Sequence, residues 1–306
     1  MAERIKAPSW KGGVVKATMS SNLISFAIFV NNFIWGGNMT EKKKKKKKFN
    51  IVPVIFLVLF ASVAIFSLVK IITINSEYKK SEKEYKDIAD DAIISIKDLD
   101  IDEKEKEEEV IPYLIVDHNK LYEKNSDYLA WIRVQDTEIN YPVVDGVDNE
   151  KYLKRSFEGV WSSSGCIFTD CRNSTDFSDF HTIIYGHSML DHSMFFALQR
   201  YPKSDYFYNH NKVEIYRDNK LYIYTAFSFF KAQSDGNVYF SNKDTESEKQ
   251  SFINYLIRNS YFDTGMEVTP EDQIITLSTC VEAEGNDRWV LHCKLTEVID
   301  LAKYYQ

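Results

Sequence analysis

Cys280 closes the apolar, β-branched run "IITLSTC", and Arg288 opens the next such run, "RWVLHCKL", eight residues later. A thiol at a strand mouth beside a polar loop is accessible, and a neighbouring cation favours its thiolate. An arginine at the adjoining mouth cannot act as a base, but it can hold a carbonyl oxygen or a developing oxyanion. His187 stands just past a third apolar run, "TIIYG", after a glycine. A histidine at such a rim is placed to move a proton. A nucleophile, an acid/base and an oxyanion donor together make an acyl-transfer site. The other cysteines and histidines read differently. Cys293, inside "VLHCKL", fits a buried structural thiol.

These residues need strands to carry them. The sequence predicts a short helix over "HNKLYEK" and strands over "LAWIRV", "INYPVV", "GCIFTD" and "FHTIIY". "MLDHSMFFALQRY" reads as a helix with Met194, Phe195 and Leu198 on one side. "KVEIYRDNKLYIYTAFSFFK" reads as a hairpin turning at Asp218-Asn219. Residues 244–259 form an amphipathic helix that Asp244 or Thr245 can cap, with Phe252, Ile253, Leu256 and Ile257 on its apolar face. The aromatic content of 14% suits such a β-rich core. About eight short strands with few helices predict a mainly β, closed or nearly closed mixed barrel.

The chain has 306 residues and divides by charge. "FNIVPVIFLVLFASVAIFSLV", Phe49 to Val69, is an uncharged run long enough to span a bilayer, and Lys42 to Lys48 precede it. Lysines beside a span stay cytoplasmic, so residues 1–48 are expected inside, 49–72 as a retained single-pass anchor in the cell membrane, and the remainder outside. Within the first segment, Met39 is a candidate true start. Residues 73–111 are highly charged and read as a helical stalk ending in a solvated linker; 112–306 form the extracellular catalytic domain. Residues 1–74 carry 12 basic and two acidic residues, which leaves 26 and 43 in the rest, a net of −17. An acidic outer domain argues against nucleic acid as a partner.

All four cysteines, Cys166, Cys171, Cys280 and Cys293, fall outside the membrane. Two disulfides are one reading, but a domain of this size needs no staples, and at least one thiol is expected to stay free. A zinc-binding surface module is the non-enzymatic alternative. The Cys166/Cys171 spacing is loose for zinc and no second Cys pair completes it, so no metal is expected.

"TLSTC" with a downstream arginine and an upstream "YGH" resembles the sortase family of Gram-positive cysteine transpeptidases. "INYPVVDG", "GCIFTDCRN" and the N-terminal anchor are similar to that family too, over roughly residues 112–306. The extra N-terminal helix and the helix inserted before the catalytic-cysteine strand resemble class B. The resemblance implies an eight-stranded sortase-type barrel and no cofactor. It makes Cys280 the nucleophile, His187 the acid/base and Arg288 the oxyanion or substrate-positioning residue, with Cys280 the only cysteine required. It also assigns substrate contacts to Asn149 and Leu153 of "NEKYL" and to Ser278 of "LSTC", and lets Tyr185 line the groove. Some class B members carry a glutamate directly after the cysteine; Val281 stands there in this chain, with Glu282 next. The implied partners are surface proteins bearing an NPQTN-like or (S/P)PxTG-like sorting signal and a peptidoglycan-precursor amine. A pilin polymerase of the same fold, with a lysine side chain as acceptor, is the other enzymatic reading.

Overall fold

The computed structural model describes residues 51–94, 113–146, 148–240, 243–280 and 285–305. The candidate start at Met39, the lysine run and the acidic end of the stalk lie outside these residues. The chain divides into two units, Met1–Ile74 and Asn75–Gln306.

In the first unit the described residues belong to α1 (Ile51–Ala92), a 42-residue helix. Its apolar N-terminal part leaves Phe56, Phe60, Ile65 and Phe66 exposed. Among the described residues it is the one helix long and apolar enough to cross a membrane.

The second unit begins with the rest of α1, and here the stalk expectation is corrected. Ser81, Tyr85, Ile88 and Ala92 recur on one helical face and are buried. Tyr85 packs edge-on against Tyr141 at 5.4 Å and donates its hydroxyl to the Gly165 carbonyl at 2.6 Å. The sparse apolar positions of this charged stretch are thus part of the core, and residues 75–92 belong with the second unit. The chain re-enters at α2 (His118–Lys124), whose N-cap Asp117 accepts the Lys120 N–H.

The strands are β1 (Tyr128–Arg133), β2 (Asn140–Val144), β3 (Ile167–Thr169), β4 (His181–Tyr185), β5 (Lys212–Arg217), β6 (Lys220–Gln233), β7 (Ile274–Cys280) and β8 (Asp287–Asp300). They close into a barrel in the order β1-β2-β3-β4-β7-β8-β6-β5, with β1 pairing β5. The β2·β3 and β4·β7 pairs are parallel and the others antiparallel, as a mixed barrel requires. The β5–β6 turn places Asp218 and Asn219 both at positive φ, the geometry that matches strand twist in a tight hairpin.

Three short helices separate the strands. α3 (Ser204–Asn209) and α4 (Asn237–Phe240) are too short to leave a periodic signal in sequence. α5 (Glu246–Asn259) starts at Thr245, which forms a reciprocal capping box with Glu248. It buries Phe252, Ile253 and Leu256 against a satellite core that includes Phe230, Ile274 and Val290. Ile257, expected on that face, is 44% exposed. The helix expected across "MLDHSMFFALQRY" is reduced to a 3-10 segment, Phe195–Arg200. Met194 interrupts it at φ 57°, ψ −129°, although Met194, Phe195 and Leu198 are buried as their spacing implied.

One buried polar line crosses three adjacent strands. Thr276 Oγ1 lies 2.7 Å from His181 Nε2 and 2.7 Å from His292 Nδ1. Burial, with the Lys243 charge adding to it, holds His181 well below the usual histidine range; burial alone takes His292 down to about 3. Above pH ~6.5 these rings are neutral in both the folded and unfolded chain, and their packing contributes fully. Below it the unfolded chain binds protons that the folded chain refuses, so stability falls with pH. His292 alone is expected to remove about 2 kcal/mol between pH 6.5 and 5.0. Urea midpoints across that interval check this, and His292→Gln should flatten the curve. A midpoint equally steep in the variant would assign the acid sensitivity elsewhere.

Candidate active site

The register of three neighbouring strands assembles the site. Tyr185 of β4 pairs with Ser278 of β7 in parallel, and the next amide, Gly186 N–H, donates to the Ser278 carbonyl at 3.1 Å. His187 lies two residues beyond Tyr185, and Cys280 two beyond Ser278. On the other side of β7, Cys280 pairs with Arg288 of β8. The main chain at Cys280 therefore lies one strand, about 4.8 Å, from Arg288, and β4, the strand on its other side, leads into His187 two residues past its last paired residue. Gly186 leaves room for the side chains packed behind it: a Cβ there would meet Ile167 at 2.6 Å and Phe195 at 2.7 Å.

A groove of about 350 Å³ opens at this row. Asn149, Leu153, Tyr185, His187, Ser278 and Arg288 all line it, so residues far apart in the chain share one surface. Asn149 Oδ1 accepts the Cys171 N–H at 2.8 Å, which leaves its amide group as the donor end. The Ser278 hydroxyl is 2.8 Å from the Tyr239 hydroxyl. His187 is half-buried, and its Nε2 lies 2.7 Å from the Leu153 carbonyl. A carbonyl only accepts, so Nε2 is the donor in this contact. Arg288 Nη1 donates to the carbonyls of Gly285 and Asp287, at 2.8 and 3.0 Å.

Sequence reasoning assigned no role to Asp170, Arg172 or Tyr239, which also line the groove. Arg172 makes a two-pronged pair with Asp170, at 2.8 and 2.7 Å, and Tyr185 donates its hydroxyl to the same carboxylate at 2.8 Å. Burial opposes the Asp170 charge, but the Arg172 guanidinium and amide and the Tyr185 hydroxyl outweigh it and hold the carboxyl at about 2. Burial and the Asp170 charge push the Tyr185 phenol well above its ordinary range, so it stays a neutral donor. Tyr185 stacks on Tyr239 at 6.3 Å, and Phe168 tilts against Tyr185 at 5.3 Å. One wall of the groove is thus aromatic and fixed by an ion pair. The signal for it was the "TDCRN" run, whose acidic and basic residues two apart give no geometry in sequence.

The remaining cysteines and histidines separate from the groove by burial. Cys166 and Cys293 are fully buried, and burial pushes the Cys166 thiol up to about 12 and the Cys293 thiol higher still. Neither is a source of thiolate at neutral pH. Cys171 is exposed, and with Cys166 and Cys293 it is free rather than disulfide-bonded. His181 and His292 are interior. Among the described residues no group of three or more His, Cys, Asp or Glu is placed to hold a metal ion.

The sortase-domain family model matches residues 132–296, more than half of the chain. Sortase B of Staphylococcus aureus is 34% identical over 178 residues, 57% of this chain and 72% of that protein. Sortase B of Listeria monocytogenes is 31% identical over 160 residues, 52% of this chain and 65% of that protein. Among solved structures, the S. aureus sortase B–substrate complex superposes with a TM-score of 0.60 at 28% identity, covering 72% of this chain and 99% of that one. A mutant form of Clostridium perfringens sortase B gives 0.59 at 26%, covering 71% and 98%. The chain belongs to the sortase family of cysteine transpeptidases, in its class B.

Proposed function

We propose that this transpeptidase cuts a C-terminal sorting signal after its threonine and joins the carrier protein to a peptidoglycan-precursor amine. Cys280 thiolate attacks the threonine carbonyl, and the negative charge moves to the carbonyl oxygen, where the Arg288 guanidinium donates to it. The tetrahedral centre collapses, the peptide C–N bond breaks, and His187 gives its proton to the departing amine. The thioacyl enzyme is then attacked by the acceptor amine, whose proton His187 takes, and the thiolate leaves. Asn149, Leu153, Tyr185 and Ser278 bind the signal. The observation that supports this reading is the β4·β7·β8 register, in which Cys280 pairs with Arg288 and the strand on the other side of β7 leads into His187. That the S. aureus relative has been solved as a substrate complex supports substrate binding by this fold.

The test is intact-protein mass spectrometry of the enzyme mixed with NPQTN and (S/P)PxTG peptides. An adduct of the peptide through threonine, released by an added amine, is the expected result. Cleavage at another bond, or no adduct with either peptide class, would remove the assignment of the signal.

For the membrane, the proposal is a cytoplasmic segment over residues 1–48, a span over 49–72 and a catalytic unit outside. Exposed apolar side chains along α1 before residue 75 and the preceding lysines support it. Protease added to intact protoplasts should digest the catalytic unit. Protection until lysis would reverse the orientation.

A further inference from the structure

Gly165 sits where three parts of the catalytic unit meet. It has φ +61°, in the left-handed region that favours glycine. A Cβ there would stand 2.5 Å from the Tyr152 carbonyl, 2.8 Å from the Leu153 carbonyl and 3.0 Å from His187 Cδ2. The first two contacts are with backbone that cannot swing aside. The imidazole edge therefore runs against the face of Gly165 from which a side chain would rise. Gly165 is itself held, because its carbonyl accepts the Tyr85 hydroxyl at 2.6 Å and the next amide, Cys166 N–H, donates to the Tyr152 carbonyl at 3.0 Å.

The Leu153 carbonyl is the acceptor for His187 Nε2. A histidine that moves protons needs one nitrogen held so that the other points at the reacting atoms, a task often given to a carboxylate. Here a neutral carbonyl of the 3-10 turn Lys151–Leu153 does it. The same residue lines the groove. A peptide that shifts this turn shifts the imidazole with it.

We propose that Gly165 and the Leu153 carbonyl are the positioning pair for His187. They fix the Nε2–H tautomer and leave Nδ1 to give and take the proton. Gly165 acts through His187 and touches no substrate. The proposal rests on His187 being the acid/base, and its test separates the two.

Gly165→Ala is compared with Gly159→Ala. Gly159 has the same backbone demand, φ +76°, but a Cβ there meets nothing within 4 Å. Both variants carry the left-handed strain; only the first displaces the ring. On the sorting peptide that the wild type cleaves, Gly165→Ala should lose about 10-fold or more in kcat, because the ring edge and the Leu153 carbonyl that holds it must both give way, with about 100-fold as the scale of a full ~1 Å misplacement. Its KM should stay within a few-fold, and the histidine limb of its pH–rate profile should move. Gly159→Ala should keep kcat and the profile. Equal kcat in the two variants overturns the proposal.

A second readout needs neither variant to fold. Two-bond nitrogen–proton spectra of 15N-histidine wild-type protein, with His187 assigned by its loss in His187→Gln, should show Nε2 protonated and Nδ1 bare at pH 8. An Nδ1–H tautomer overturns this proposal while leaving the catalytic reading intact. Full turnover in His187→Gln removes that reading, and the proposal with it.

Discussion

Cys280→Ala is expected to give no thioacyl adduct and no peptide cleavage, while Cys171→Ser and Cys166→Ala turn over within a few-fold of wild type. The contrast follows from where each residue lies. Cys280 ends β7, paired with Arg288 of β8 and beside the strand that leads into His187. Cys171 is exposed, and its hydrogen bond to Asn149 uses the main-chain N–H, which serine preserves. Cys166 is enclosed in the barrel core, so its replacement costs on the order of 1 kcal/mol of stability rather than catalysis. Intact mass after incubation with peptide, followed by alkylation and peptide mapping, reads all three. An adduct on a cysteine other than Cys280, or loss of turnover in a well-folded Cys171→Ser, would contradict the assignment.

Arg288→Lys should lower transpeptidation by roughly 100- to 1,000-fold, or ~2.7–4 kcal/mol of barrier, with little change in melting temperature. The competing view is an arginine kept for a surface ion pair, which lysine would replace at a cost of ~0–1 kcal/mol. Among the described residues the neighbours argue against it. The Asp287 carboxylate is taken by Lys231 at 2.9 Å and by Gln233. Arg288 instead spends Nη1 on two loop carbonyls, which anchors the plane of the guanidinium. A lysine has one point donor group in place of that plane and cannot hold the carbonyls and present a fork at once. Steady-state kinetics on the sorting peptide, with calorimetric melting of both proteins, tests this. Near-wild-type turnover with lysine in place would leave a Cys–His pair and take Arg288 out of the reaction.

Part of this was legible because strand ends are legible. "IITLSTC" and "RWVLHCKL" announce two strands by β-branched runs, and a short polar loop makes them neighbours, so Cys280 and Arg288 had to meet. His187 was visible as a histidine past a strand, but nothing local says that its strand lies parallel beside β7. That pairing is a long-range contact, found in sequence only through the resemblance. The docking of residues 75–92 was hidden because Tyr85, Ile88 and Ala92 are too few among charges to raise a periodic signal. Gly165 and Gly159 look alike in sequence; only the carbonyls packed against one of them tell them apart. Met194 was read as helical because its side chain is apolar and correctly spaced, whereas its backbone turns the other way.

The parallel seam between β4 and β7 joins segments about ninety residues apart in the chain. Contacts of that separation form late, because the loop between them must close before they return any stabilisation. During synthesis β4 therefore exists well before β7, the strand that ends at Cys280. Until β7 and β8 slot in, β4 has a bare edge, a site for wrong pairing with another chain. The arrangement also has a protective side. On the proposed assignment, an incomplete chain has the acid/base without Cys280, so the thioacyl step must wait until the barrel is whole.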